Sequence, residues 1–189
     1  MIKGYFDGLC EPVNPGGVAT YGYIIYRNGM EIARCCGIIG AGMLGDYTSN
    51  NIAEYHALIK LLEKLIELDI KEDIEIYGDS QLVINQINGV YRVRSERIKP
   101  LYEKALELLK MLQNVKLIWI PREMNREADG LSYKAYIEFM NRYGEAALRY
   151  YRRHLLTEKQ NKAFRKLGIE IAPYMPRRHL WRIYIEQKL

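Results

Sequence analysis

Four acidic residues sit where the chain changes direction. In "KGYFDGLC" an apolar strand runs into Asp7 and Gly8. Strands disfavour Asp, and an Asp-Gly pair taken alone is a turn. In "IEIYGDSQ" a second strand-like run ends at Asp79, which alone is the N-cap of the next helix. Glu54 in "TSNNIAEYHAL" falls in a first helical turn, with capping-box spacing to Asn51. Asp129 in "NREADGLS" stands near the start of a helix that opens at Asn125 and, taken alone, is a surface acid. Taken together the four have another chemistry. Two carboxylates about 4 Å apart at an effective dielectric of about 20 repel by about 4 kcal/mol. A converging set therefore persists only when protonated or filled by cations. Oxygen ligands without His or Cys select Mg2+ or Mn2+, and two such ions between carboxylates suit in-line phosphoryl transfer. A zinc site is not expected, because His56, His154 and His179 lack ligand spacing.

The elements decide whether the acids meet. Strands are expected near 2–7, 19–26 and 31–39, the last two joined through Arg27-Asn28-Gly29, a strong hairpin signal. Residues 51–68 have helical period, with Tyr55, Leu58, Ile59, Leu62, Leu65 and Ile66 on one face. A short strand ends at Asp79, a short helix ends at Gly89, and a longer helix covers 95–112, with Pro100 marking its true start. "VKLIWIP" is a fifth strand and 124–142 a further helix. The order βββ-α-β-α-α-β-α implies an α/β fold. Its mixed sheet has three antiparallel strands, with the fourth and fifth parallel to the first and helices on the faces. Asp7 and Asp79 then end neighbouring parallel strands, the edge where open α/β sheets place ligands. Glu54 and Asp129 open helices flanking that edge.

The 189 residues suffice for one domain and an appendage. No apolar run approaches the ~20 residues of a membrane span. Lys3 and Asp7 interrupt any signal-peptide core. The three cysteines form no CxxC pair, as expected of reduced thiols in the cytoplasm. A monomer is expected. The net charge of +5 is uneven: residues 145–189 hold 11 Lys and Arg against 4 Asp and Glu, while residues 1–144 hold 17 against 19. A basic appendage on a near-neutral domain points to an anionic partner.

Over residues 1–140 or so, "YFDG", "NPGG", "TSNNIAEYHAL", "GDSQLVINQI" and "NREADGLSYKA" together resemble type 1 ribonuclease H. The resemblance implies a ribonuclease H-like five-stranded mixed sheet. It also implies two Mg2+ (or Mn2+) held by Asp7, Glu54, Asp79 and Asp129, and endonucleolytic hydrolysis of the RNA strand of RNA–DNA hybrids to 5′-phosphate and 3′-hydroxyl ends. Asn14, Asn50, Asn51 and Gln81 match the family's minor-groove amides, and Ser49 stands where its DNA-phosphate pocket carries Thr. Gly16 and Gly17 would let the backbone lie close to a duplex. The pattern is that of archaeal and bacterial forms lacking the basic protrusion; "NGVYRVRSERIKP", with Arg92, Arg94, Arg97 and Lys99, is a reduced substitute or a solvated turn. The family's His in the loop before the last acid is absent. Arg122 is the nearest replacement and Glu123 the next, and an Arg acts there by charge and not as a base.

The domain division expected is 1–142 for the catalytic unit and 143–189 for a basic, mostly helical extension that the resemblance does not cover. Residues 145–156 place Leu148, Tyr151 and Leu155 on one helical face and Arg149, Arg152 and Arg153 on another. Thr157 and Gln160 form a capping box, and Gly168 stops the helix they begin. The closing "RRHLWRIYIEQKL" mixes basic and aromatic residues, as a nucleic-acid grip or as a segment packed on the domain. Two other functions remain open: a binding module that holds hybrid or duplex RNA without cutting, and a DNA-cutting relative of the resolvase or integrase kind. The full set of acids argues against the first, the amides against the second.

Overall fold

The computed structural model describes residues 1–180; the last part of the basic–aromatic run, 181–189, lies outside them. The elements follow the expected order: β1 (Ile2–Glu11), β2 (Val18–Arg27), β3 (Met30–Ala41), α1 (Asn50–Glu67), β4 (Ile74–Gly78), α2 (Gln81–Ile87), α3 (Lys99–Lys110), β5 (Val115–Trp119), α4 (Arg126–Tyr151) and α5 (Glu158–Lys166). They form one five-stranded sheet ordered β3-β2-β1-β4-β5. β1, β2 and β3 are antiparallel, while β1, β4 and β5 run parallel. Asn28 and Gly29, both at positive φ, close the tight β2–β3 hairpin beyond the Arg27–Met30 pair.

Each face of the sheet is covered. On one, Tyr55, Leu58, Leu61, Leu62 and Leu65 of α1 pack on Ile2, Phe6, Ile25, Ile74 and Ile76. Each fully buried aliphatic side chain contributes about 1.5–3 kcal/mol. On the other, Tyr136, Phe139 and Met140 of α4 pack on Leu9, Val18 and Ala41. Among the described residues no helix is long and apolar enough to cross a membrane.

The structure departs from the sequence expectation in three places that matter. β1 does not stop at Asp7 but continues to Glu11, because β2 goes on pairing with it after β4 has ended. The third helix occupies only Lys99–Lys110 of the expected 95–112, with Pro100 in its first turn marking the start as expected, where a missing N–H leaves no hydrogen bond broken. The last long helix runs to Tyr151, interrupted at Gly144 (φ 47°, ψ −122°). That interruption re-aims the remainder of the helix. Ala147, Tyr151 and Leu155 join the second core, but Leu148 turns outward at 42% exposure, against the face expected for it. Thr157 and Gln160 do cap α5 reciprocally.

The end of the described chain is stitched to this core. Leu155 bridges to Pro176, the Tyr136 hydroxyl donates to the Tyr174 carbonyl (2.9 Å), and that of Tyr133 donates to the Pro173 carbonyl (2.9 Å).

Two glycines give a test of opposite signs. A Cβ at Gly8 would lie 2.1 Å from the Glu54 backbone nitrogen, whereas one at Gly130 meets nothing within 4 Å. Gly8→Ala must displace α1 and is expected to cost about 1–3 kcal/mol or more, lowering the thermal midpoint by roughly 2–12 °C. Gly130→Ala, mid-helix and open, should raise stability by about 0.5–1 kcal/mol. Thermal unfolding of the two variants checks the pair.

Candidate active site

The site begins where β4 ends. The last β1–β4 pair is Phe6 with Gly78, so Asp7 and Asp79 are the next residue on each strand. Beyond that pair β1 is carried by β2 alone, with Asp7 opposite Gly22. Glu54 arrives from α1, which lies so close to β1 that the Gly8 N–H donates to Glu54 Oε2 (3.0 Å). Asp7, Glu54 and Asp79 each offer an oxygen within 4.8 Å of the others. Asp7 is 3% and Glu54 4% exposed.

The local tasks that could have occupied these acids belong to neighbours. Ser80 Oγ accepts from the Val83 N–H and caps α2, which leaves Asp79 free of that role. Ser49 Oγ accepts from Ile52 N–H and caps α1, so the Asn51–Glu54 capping box allowed by spacing does not form. Asn125, which precedes α4, makes no side-chain cap. Its amide donates instead to the Phe6 carbonyl (2.8 Å) and to Asp79 Oδ1 (2.7 Å), tying β1, β4 and α4 together at the acids. Ser132 Oγ lies against Asp7 Oδ2 and 2.9 Å from the Asp129 carbonyl. Its single hydrogen can serve one of these, so with Asp7 protonated the hydroxyl accepts from Asp7 and donates to the carbonyl. Neither Asn125 nor Ser132 was singled out from sequence for the site. The signal was present: Asn125, Asp129 and Ser132 recur at i, i+4 and i+7, one helical face.

The electrostatics follow from burial and crowding. Burial, then Asp79 and Asp129, push the Asp7 carboxyl up to about 8. Burial, then Asp7 and Asp79, hold Glu54 well above the usual carboxylate range. Protons thus hold the group together, and a divalent cation would do the same with oxygen donors only. The residues fit a hard dication. Asp129 stands outside the three-acid group, in an ion pair with Arg122. Burial pulls the Arg122 guanidinium down, but Asp129, Asp7 and Asp79 outweigh it and hold its pKa above the usual value. Glu123 lines a separate hollow with Tyr5 and Tyr26.

The acids open into a cleft of about 600 Å3, whose lining includes Asn14, Asn50, Asn51, Ser80 and Arg122. Asn14 Oδ1 accepts from the Asn50 N–H (2.9 Å), so two of the amide-bearing residues brace each other. Ser49, turned into its cap, and Gln81, exposed at the start of α2, are not among the lining residues. Gly17 is explained inside the protein: a Cβ there would lie 2.3 Å from the Val13 carbonyl oxygen. Arg97 stacks over the exposed Tyr47 ring at 4.0 Å, which places the short basic stretch beside the loop leading into α1. Arg178 and His179, from the far end of the chain, line the cleft as well.

A raised carboxyl carries a signed stability consequence. Between its unfolded value of 3.8 and its folded value of about 8, Asp7 keeps a proton that the unfolded chain has lost. Its contribution is present below the unfolded value and is lost as pH rises through the folded one. Without divalent cations, stability should therefore fall from about pH 4 to pH 8. Asp7→Asn should flatten that fall and melt several degrees above the parent at pH 8, at about 2–4 °C per kcal/mol, with the gap closing toward pH 4. A variant melting at or below the parent at pH 8 in chelator contradicts the repulsion.

Comparison with known proteins agrees with this geometry. A family model described as "Reverse transcriptase-like" matches residues 6–135. The ribonuclease HI of Halobacterium salinarum is 34% identical over 134 residues, 71% of this chain and 63% of that protein. Its crystal structure, described as RNase H1, superposes with a TM-score of 0.65 at 33% identity over 72% of this chain and 98% of that one. LC11-RNase H1, solved in complex with an RNA/DNA hybrid, gives 0.67 at 31% identity over 74% and 99%. The chain thus spans just under two thirds of its Halobacterium relative; it covers 32% of a bifunctional protein of Mycobacterium tuberculosis to which it is 31% identical. With the sheet order, the acids at the β1–β4 edge and these likenesses in agreement, the chain belongs to the type 1 ribonuclease H family.

Proposed function

We propose that this protein is an endonuclease that hydrolyses the RNA strand of RNA–DNA hybrids, leaving 5′-phosphate and 3′-hydroxyl ends. The observation that carries the reading is the meeting of Asp7, Glu54 and Asp79 within 4.8 Å in a cleft bordered by Asn14, Asn50 and Asn51. The relative LC11-RNase H1, solved with a hybrid, supports the substrate. Asp7, Glu54, Asp79 and Asp129 would hold two Mg2+, with Mn2+ an alternative. Bound there, the ions would supply activation of the attacking water and neutralisation of the departing 3′ oxygen.

The protein's own groups do the rest. Asn125 and Ser132 fix the carboxylates of Asp79 and Asp7, so that no rotamer search precedes the reaction. Asn14, Asn50 and Asn51 present amides that both donate and accept, which suits 2′-hydroxyls, and such a site discriminates against a strand lacking them. Ser49 and Gln81, beside the first turns of α1 and α2, extend that contact outside the cleft. Arg122 opposes negative charge at Asp129 and cannot take a proton at neutral pH. The catalytic unit is residues 1–142, and residues 143–189 are a basic extension whose described part, up to residue 180, packs on it. The enzyme acts as a cytoplasmic monomer.

Incubating labelled hybrid, duplex RNA and duplex DNA with Mg2+ tests the reading. Cutting of the hybrid's RNA strand is expected; binding without product would instead make the protein a holding module, and DNA cleavage would make it a DNA nuclease. Asp79→Asn retains an Oδ1 acceptor for Asn125, so the fold should hold while cleavage drops about 10^3-fold or more, the scale seen when a charge-stabilising group is removed.

Arg122→Ala should slow turnover more than it weakens hybrid binding. Single-turnover and steady-state rates compared with equilibrium affinity read the difference. Unchanged values in all three would leave Arg122 as the surface partner of Asp129 alone.

A further inference from the structure

Glu11 is a buried carboxylate that the catalytic group does not use. It is 3% exposed, at the end of β1, on the same face as Asp7 and four residues further along. At about 3.4 Å per residue that separation is about 14 Å. A carboxylate buried this far costs several kcal/mol unless it is paired. Its partners come from the opposite end of the chain. Arg178 Nη2 lies 2.8 Å from Glu11 Oε2, and His179 Nε2 lies 2.7 Å from Glu11 Oε1. The same Arg178 nitrogen also donates to the Cys10 carbonyl (2.8 Å). The segment leading into them is held by the Leu155–Pro176 bridge, by the Arg177 N–H donating to the His154 carbonyl (2.7 Å), and by Tyr136 on Tyr174.

The anchoring leaves a guanidinium aimed at the cleft. Both contacts of Arg178 use Nη2, and a guanidinium carries five N–H donors in a fixed fork. The Nε and Nη1 donors make no hydrogen bond among the described residues. The side chain is 40% exposed, and Arg178 and His179 line the same cleft as Asp7, Glu54, Asn14 and Asn50. A planar fork held at one corner by a buried carboxylate is suited to a phosphodiester.

We infer that Glu11, Arg178 and His179 form a phosphate-binding subsite, built by the C-terminal extension into the wall of the catalytic cleft, that grips the nucleic-acid backbone a few nucleotides from the scissile bond. The inference rests on the functional reading above and adds to it the residues through which the extension would act. Arg178 supplies the contact. Glu11 is a positioning residue, and His179 completes its pairing. The extension thereby replaces with a single anchored arginine some of the grip that a basic protrusion would provide. A phosphate contact carries no information on sugar or sequence, so it should strengthen hybrid, duplex RNA and duplex DNA alike.

The test uses the full chain carrying Asp79→Asn, so that hybrid is bound and not cut. Adding Arg178→Ala should weaken hybrid several-fold and flatten the slope of log affinity against log salt by about one unit. Duplex DNA should weaken by the same factor. In the cutting parent, Arg178→Ala should raise KM more than it lowers kcat. Because that change strands Glu11, the pair Glu11→Gln with Arg178→Gln removes both charges together, and it should melt near its parent yet show the same flattened slope. A folded variant with the parent's affinity and slope overturns the subsite. A third readout needs no substitution: phenylglyoxal should label Arg178 in the free chain, and bound hybrid should protect it. Labelling that hybrid leaves unchanged overturns the subsite even if both variants unfold. A parent that neither binds nor cuts hybrid overturns the functional reading, and the subsite with it. A parent that cuts hybrid normally beside an indifferent Arg178 overturns the subsite alone.

Discussion

Mutual repulsion among Asp7, Glu54 and Asp79 is the constraint around which this protein is arranged. Two of the three are buried, and burial and crowding push the Asp7 and Glu54 carboxyls upward, toward the protonated form. A group so costly exists only because the surrounding packing overrides it. The Phe6–Gly78 pair ends the parallel ladder one residue before two of the acids, and glycine at position 8 lets α1 approach until Glu54 meets the backbone of β1. The large apolar contact between α1 and the sheet holds these acids in place, with hydrophobic burial the dominant favourable term.

Around that point the polar side chains divide their work. Ser49 and Ser80 terminate helices and so release Glu54 and Asp79 from capping. Asn125 and Ser132 satisfy the acids from α4 while also binding the Phe6 carbonyl and standing against that of Asp129. The donors of these buried groups are committed to partners, the Asn125 amide to two at once, which fixes geometry more firmly than apolar packing alone. Arg122 stands at the rim and faces the acids as a whole, although its direct contact is with Asp129.

The C-terminal extension obeys a second, smaller logic. Its apolar residues Ala147, Tyr151 and Leu155 complete the core that Tyr136, Phe139 and Met140 of α4 begin, and its last described residues return to the end of β1. Glu11 explains the return: a carboxylate buried there needs partners, and the segment after Pro176 supplies the Arg178 guanidinium and the His179 imidazole. One cationic group of the extension, Arg178, is thereby brought into the wall of the cleft onto which the acids open.

Local chemistry made the element order and the acids legible in the sequence. The 3.6-residue apolar period of α1, the Asn28-Gly29 hairpin and the acids at the ends of strand-like runs are properties of neighbours in the chain, and they led to the right sheet. The β1 length was misjudged because strand ends depend on which partner persists, a fact about β2 and not about residues 7–11. The capping roles were ambiguous because Ser49 and Asn51, or Asp79 and Ser80, offer equivalent oxygens at nearby positions, and only packing decides which one turns toward the helix. The outward turn of Leu148 depended on the backbone at Gly144. The pairing of Glu11 with Arg178 and His179 joins residues 168 apart for His179, and no periodicity spans such a distance. Sequence alone determined the elements and which residues could do chemistry. Tertiary structure decided which of them meet, because register, close backbone approach and the burial of charge are set by partners far away along the chain.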